Sequence, residues 1–451
     1  MKERRVRLVH TGGTLGMRAG PTGYAPVRGH LVERLAENPA LHDPEVAVHA
    51  ATFVLPSGRR GPRIVYDVVE HDPLLDSSNV GLDEWRAMAL DIEAHYDDYD
   101  AFVLVHGTDT MAYTASALSF ALDNLGKTVI LTGSQVPLVK PLSDGRENLL
   151  GALTLAGHYD LPEVGVFFHH RLLRGNRARK VDASGLGAFE SGNFPALAKI
   201  GSTVEVRWDL VRSPPAAPLR VQPLTHRHVA ALRLFPGLDA QTLAAILKPP
   251  LLGLVLEAYG TGNGPDRDAP LLEVIANATR AGIVVVAVTQ CHHGTVTGDY
   301  AAGTALLHAG VTPGRDLSPE AALTKLVYLL SCGFSPDEVR ARIGQNLRGE
   351  LTPTAPSDAH SFRDQAFFAK LSRIVGEWGA TRDPSTIRAA VVPSLVVAAA
   401  GLGDVVTLRR MLDAGADPDS ASPDGRTAVM AALGAGHTDV VAELRARGAK
   451  G

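Results

Sequence analysis

The stretch VLVHGTDTMAYTASALSFAL, residues 103–122, decides how the fold is read. Phe102 to Val105 form a short apolar run of the kind that builds a buried strand, and the polar knot His106-Gly107-Thr108-Asp109-Thr110 follows at once. Beyond it Met111, Ala115, Leu118 and Leu122 recur at helical spacing, so a helix is expected to start at the knot. Ligands bind open α/β sheets at the carboxyl ends of the strands. The unpaired N–H groups of a helix start favour an anion there. Thr108 and Asp109 stand side by side at that point. Two readings are open on this stretch alone: the pair caps the helix, or it performs chemistry.

The same unit recurs on both sides. Val6 to His10 (VRLVH) reads as a first strand ending in Thr11-Gly12-Gly13-Thr14-Leu15-Gly16. Its glycines allow a tight turn and close approach of a ligand, but the pattern is not GxGxxG, so no dinucleotide fingerprint is present. RAGPTGYAPVRGH follows as a loop carrying Tyr24 and placed to act as a lid. Asp76-Ser77-Ser78-Asn79 is a further polar loop, ahead of a helix from about Leu82 to His95. TVILTGSQV is a strand ending at Ser134, and VGVFFHH another, followed by the basic loop RLLRGNRARKVDASG with Lys180. Alternating strand, polar loop and helix predict an α/β fold with a mostly parallel sheet.

Length and composition bound the rest. The 451 residues suffice for two or three domains. A net charge of −4 offers no general attraction to nucleic acid or to an anionic membrane. Two cysteines, Cys291 and Cys332, cannot form a disulfide framework, and no apolar run nears membrane-spanning length, so the cytoplasm is the expected location. The expected domains are an N-terminal α/β domain at 1–211, a proline-rich linker at 212–225 and a smaller α/β domain at 226–355. A helical connector at 356–390 and a repeat tail at 391–451 complete the chain. In the tail Ala398, Ala399, Gly403 and Gly415-Ala416 recur 33 residues later as Ala431, Ala432, Gly436 and Gly448-Ala449. That period resembles an ankyrin repeat, present about twice where about three are usually needed.

Several chemistries fall away. There is no GxSxG, HExxH or CxxC, and Cys291-His292-His293 is too tightly spaced for an ordinary zinc set. His169-His170 invites the same caution. What remains is a group of strand-end hydroxyls, Thr14, Tyr24, Ser77 and Thr108, with Asp109 and Lys180. A threonine hydroxyl becomes a nucleophile once a base takes its proton, and a lysine of lowered pKa can be that base. Backbone N–H groups at a helix start can hold the oxyanion of an attacked carbonyl. These ingredients suit acyl transfer on a small polar amide.

HTGGT at residues 10–14 and HGTDTM at 106–111 resemble the two signatures of the bacterial-type L-asparaginases, which use a threonine nucleophile. The run from His95 to Lys127, TGSQVPL, RGNRARK and QNLRGELTP are similar to the cytoplasmic type I enzymes, so the resemblance spans roughly residues 4 to 355. It implies a two-domain fold with a larger and a smaller parallel sheet, here with an ankyrin-like tail, that hydrolyses asparagine without cofactor or metal.

By the same resemblance Thr14 matches the nucleophile and Tyr24 the lid tyrosine that hydrogen-bonds it. Thr108, Asp109 and Lys180 match the trio that tunes proton transfer. Asp109 also matches the carboxylate that binds the substrate ammonium, and Ser77, with Asp76 and Ser78 beside it, the hydroxyl that grips the α-carboxylate. Ser134 matches the position that holds the side-chain amide, and Asn263 a residue reaching the site from a partner subunit, which implies a homodimer or homotetramer. A broader amidase or lysophospholipase, or a non-catalytic interaction scaffold that binds a protein through its tail, is the alternative. One departure stands out: the strand before YGTGN carries Glu257 where type I enzymes hold an arginine of an allosteric asparagine site.

Overall fold

In the computed structural model the described residues are 3–21, 23–47, 49, 51–56, 62–297, 301–352, 384–422 and 425–450. Five parallel strands form the centre of a nine-stranded sheet. They are β1 (Glu3–Gly12), β2 (Arg63–Leu75), β3 (Ala101–Val105), β4 (Thr128–Thr132) and β5 (Val164–Phe168). Across the sheet they lie in the order β2-β1-β3-β4-β5. The winding direction therefore reverses between β1 and β3, and the crevice at that point is where doubly wound sheets take ligands. β3, β4 and β5 are buried along their whole length, as their unbroken apolar runs require.

The outer strands correct the expectation of a mostly parallel sheet: the large sheet is mixed. Thr52–Val54 runs antiparallel beside β2, and Arg171–Arg174, Ala198–Ile200 and Val204–Val206 continue antiparallel beyond β5. The cause is local. After Phe168 the chain reverses through His169 and His170 at φ 46° and 62°, and a two-residue loop with both residues left-handed closes a hairpin. A parallel neighbour would need a long crossover instead. RLLRGNRARK is accordingly not one loop: Arg171–Arg174 is a strand, and Arg179–Lys180 pairs with Phe189–Glu190.

The helix after β3, Met111–Ala121, begins just past the polar knot and is almost wholly buried. It packs between the helices Leu82–Ala94 and Pro319–Ser331. Ser116 and Thr324 share a hydrogen bond of 2.7 Å, and Phe120 stacks on Tyr328 at 5.6 Å. Pro319–Ser331 belongs to a second α/β region, whose parallel strands Val229–Arg233, Gly253–Ala258, Val284–Thr289 and Thr312–Pro313 lie in chain order. Within 212–225, Arg220–Val221 pairs with Leu122–Asp123.

By compactness the chain divides into Met1–Arg207 with Pro215–Thr352, which holds both sheets, and Trp208–Pro214 with Pro353–Gly451. In the latter the helices Pro384–Gly401, Val405–Asp413, Ala428–Gly434 and Thr438–Ala446 enclose a core that includes Val396, Leu408, Ala432, Val440 and Leu444. Of the connector expected at 356–390, residues 356–383 lie outside the described residues.

A fully buried ion pair closes the larger unit. Lys325 Nζ lies 2.5 Å from Glu350 Oε1, with neither side chain exposed. Burial opposes the charge on Glu350, but Lys325 and the amides of Leu347 and Arg348 outweigh it and hold the carboxyl below its usual range. The loop fixed in this way reaches back to the large-sheet region, where Arg174 and Arg177 donate to the Gly349 carbonyl and Arg177 pairs with Asp316 at 2.7 Å. Removing one member of a buried pair strands the other charge. Lys325→Met should therefore lower the unfolding free energy in urea by about 3–5 kcal/mol, and the double change with Glu350→Leu should recover most of it. A loss under about 1 kcal/mol for the single variant would contradict this account.

Candidate active site

β1 ends in Gly12 and Gly13 at φ 125° and 82°, a region that L side chains rarely adopt. A side-chain carbon on Gly12 would lie 2.0 Å from the Leu75 carbonyl oxygen, and one on Gly13 would lie 2.4 Å from the Gly107 Cα. On Gly107 it would lie 2.5 Å from Ser77 Oγ. The turns after β1, β2 and β3 thus meet with nothing between them. Thr14, Ser77 and Thr108 are drawn to one spot, at the point where the sheet order reverses.

Thr108 is buried, and its hydroxyl is held from two sides. It accepts from Lys180 Nζ at 2.8 Å and donates to Gln135 Oε1 at 3.1 Å. The Gln135 amide is oriented by its own nitrogen, which donates to the carbonyls of Asp182 and Gly185. Lys180 Nζ also lies 2.6 Å from Asp109 Oδ1. Lys180 is mostly buried while Asp109 is 65% exposed, so the carboxylate stands open to a soluble cation. Neither Thr108 nor Asp109 caps the helix. Thr110 occupies the cap position without a side-chain cap, and its hydroxyl donates to the Ser77 carbonyl at 2.7 Å. The capping reading of this stretch is thereby set aside.

The other expected site residues divide. Ser77 is buried beside Gly107, and Asp76 accepts from both the amide and the hydroxyl of Ser78. Ser134 is buried against Gly145, its hydroxyl without a partner among the described residues. Tyr24 sits on the exposed hairpin strand Gly23–Pro26, with Lys140 Nζ 5.6 Å from its ring centre. Among the described residues no hydrogen bond joins Tyr24 to Thr14. Asn263 sits in the second α/β region, its backbone paired with Tyr259, and no hydrogen bond ties it to Thr14 or Lys180 among the described residues. Gln135 escaped the sequence reading. Its one signal was a polar side chain directly after Ser134 at a strand end.

His106 supports the knot from beneath. It is 1% exposed, its Nδ1 lies 2.7 Å from the Gly107 carbonyl and its Nε2 lies 3.0 Å from Thr114 Oγ1. Trp85 Nε1 donates to that same hydroxyl at 3.0 Å. The chain is satisfied by a neutral ring with its proton on Nδ1, a tautomer inferred from the partners. Burial pushes His106 down to about 4, against a weaker pull upward from the Gly107 carbonyl.

Residues 5–212 match the family described as asparaginase, N-terminal, and residues 228–342 the glutaminase/asparaginase C-terminal domain. The chain belongs to the asparaginase family. It is 46% identical over 358 residues to L-asparaginase 1 of Escherichia coli K12, covering 78% of this chain and 99% of that one. It is 44% identical over 432 residues to the human 60 kDa lysophospholipase, covering 94% of this chain and 75% of that one. Among solved structures, L-asparaginase I of Vibrio cholerae superposes with a TM-score of 0.68 at 41% identity, over 78% of this chain and all of that one. Among the described residues no helix of this family member is long and apolar enough to cross a membrane.

The His106 shift fixes a pH dependence. Unfolded, the ring takes up its proton near pH 6.5, whereas the folded ring resists it down to about 4. Its stabilising contribution is therefore complete above about pH 6.5 and falls by roughly 1.4 kcal/mol per pH unit below it. Urea unfolding between pH 7.5 and 4.5 should show His106→Gln losing about 2–3 kcal/mol less than the wild type over that span. Parallel pH profiles for the two proteins would contradict the assignment.

Proposed function

We propose that this protein is an L-asparaginase that hydrolyses the side-chain amide of L-asparagine to L-aspartate and ammonia with Thr14 as nucleophile. The observation that carries the reading is the hydrogen-bonded set Thr108, Asp109 and Lys180 beside the Gly13–Gly107 contact, which lies next to Thr14. The Thr14 hydroxyl attacks the amide carbon, and its proton passes to the leaving nitrogen by way of the trio, releasing ammonia. Water then attacks the acyl-threonine and frees aspartate and the Thr14 hydroxyl. Backbone N–H groups near Thr14 and Thr108 hold the oxyanion in both halves.

Lys180 donates to Thr108, and Thr108 donates to Gln135. For Lys180 to take a proton through Thr108, that polarity must reverse, with Lys180 neutral and the Thr108 hydroxyl turned away from Gln135. Asp109 receives the substrate ammonium, and Ser77, with Asp76 and Ser78, the α-carboxylate. Ser134 lies where the side-chain amide would sit, and Tyr24 closes over the occupied site from its hairpin. Asn263 serves the site of a second subunit, so the working form is a homodimer or homotetramer in the cytoplasm.

The tail we read as ankyrin-like. Its helix pairs are joined by Arg409 to Glu443 and by Arg447 to Asp413, links that each span one repeat. A protein partner is the natural ligand of such a tail. The lysophospholipase alternative draws on the printed names of relatives, the human one among them. The groups gathered at the site, two hydroxyls, an ammonium and an open carboxylate, fit a small zwitterion better than an acyl chain.

Thr14→Val should leave folding intact and lower asparagine turnover, read as ammonia release, by at least about a thousandfold. Retention of a tenth of wild-type turnover would sink the nucleophile assignment, and lysophospholipid cleavage by the same preparation would favour the alternative. A second outcome concerns Glu257, whose carboxylate is taken by Arg233 at 3.0 Å. With an acid in place of the effector-binding arginine, and the neighbouring guanidinium committed to that acid, rate against asparagine concentration should be hyperbolic. A sigmoidal curve that Glu257→Ala turns hyperbolic would overturn this.

A further inference from the structure

His10 lies four residues before Thr14 on β1 and is fully buried. Its ring occupies the space beneath Gly16, where a side-chain carbon would fall 2.5 Å from Cε1 and Nε2. Gly16 closes the short helical turn Thr14–Gly16, and the hairpin Met17–Gly20/Gly23–Pro26, which carries Tyr24, begins at the next residue. On its other side His10 Nδ1 lies 3.2 Å from Glu70 Oε1, its directly paired neighbour on β2. The second Glu70 oxygen accepts the amide of Gly29 at 2.8 Å. Gly29, at φ 78°, opens the helix His30–Ala36 just beyond the far end of the hairpin. The pair of buried His10 and half-buried Glu70 therefore touches the chain immediately before the hairpin and again just after it.

Met17 is the one buried residue of the hairpin strands, and Lys140 Nζ lies 5.6 Å from the Tyr24 ring centre. Gly23, Tyr24 and Ala25 are exposed, as are Arg18, Ala19 and Gly20. The hydrogen bond from His10, opposed by burial and helped by the Gly29 amide, keeps Glu70 below the usual carboxylate range, so it receives both N–H groups as an anion. His10 Nε2 has no hydrogen-bond partner among the described residues, so Glu70 is the ring's one polar contact there.

We propose that His10 and Glu70 are positioning residues that clamp both ends of the Tyr24 hairpin, and so set how that hairpin closes over substrate beside Thr14. The kinetic half of this proposal rests on the asparaginase reading; the structural half does not. Among the described residues neither side chain hydrogen-bonds Thr14, Thr108, Asp109 or Lys180, so the pair is assigned a positioning role.

The test compares His10→Leu, Glu70→Ala and the milder Glu70→Gln with His10→Asn, whose amide nitrogen can replace Nδ1 as the donor. Hydrogen–deuterium exchange of the full chain should show residues 17–28 exchanging about tenfold faster in His10→Leu and Glu70→Ala, with β3 and β4 unchanged. With asparagine, KM should rise at least about fivefold while kcat stays within about threefold, and His10→Asn should lie within about twofold of wild type in both. Hairpin exchange equal to wild type, a rise spread evenly over the whole chain, or a His10→Asn variant as impaired as His10→Leu would overturn the proposal. If His10→Leu does not fold, Glu70→Gln decides, with an intermediate rise in hairpin exchange expected and none overturning it. Should the wild type lack asparaginase activity, the function reading falls, and the exchange measurement still decides the clamp.

Discussion

Everything at the candidate site depends on how closely two backbones can approach. Gly13 and Gly107 meet with no room for a side-chain carbon on either, and Ser77 closes the third side. The three turns follow β1 and the two strands that flank it in the sheet, whose paired residues lie about 60 and 95 positions further along the chain. Parallel strands about 4.8 Å apart bring their carboxyl ends together, but the last step needs glycine. A side-chain carbon would fall 2.4 Å from the Gly107 Cα if placed on Gly13, and 2.5 Å from Ser77 Oγ if placed on Gly107, so the turns would have to part. The site is thus a property of backbone packing first and of side chains second.

Charge is distributed around that contact unevenly. Lys180 is mostly buried and faces one open carboxylate and one buried hydroxyl, so it is stabilised from the side where a zwitterionic substrate would enter. Gln135, fixed by two backbone carbonyls, dictates which way the Thr108 proton points. Beneath them the chain from Trp85 through Thr114 and His106 to the Gly107 carbonyl keeps the knot rigid without placing a charge under it. A neutral histidine does this at little electrostatic cost, whereas an imidazolium there would repel Lys180. The hairpin with Tyr24 is the contrasting part, exposed over most of its length.

The two α/β regions act as one unit because hydrophobic and ionic contacts cross between them at separate places. The buried helix Met111–Ala121 faces Pro319–Ser331. Arg174 and Arg177, on the segment leading to Lys180, are bound to Asp316 and Gly349 of the second region. The position of Lys180 is therefore supported by residues some 170 positions further along the chain. That gives the smaller sheet a role in placing the site without any need for its strands to reach it.

Much of this was legible in the order of residues alone. Apolar runs ending in small polar residues marked β1, β3, β4 and β5, since strands buried on both faces carry no alternation and stop where the ligand face begins. The two threonine motifs and Lys180 were visible as residue types at strand ends. Tertiary structure alone decided the rest. That Thr108 and Asp109 bind Lys180 rather than cap a helix depends on a lysine 71 or more positions away. The antiparallel half of the sheet followed from two histidines in left-handed conformation, which most histidines do not adopt, so the pair alone did not announce a hairpin. Gln135 and the His10–Glu70 pair remained hidden for the same reason: a polar residue at a strand end carries no mark of its partner until the sheet sets the register. Local sequence determines which elements form, through periodicity and turn chemistry, whereas which side chains meet is set by strand order and crossover, which no short window of residues contains.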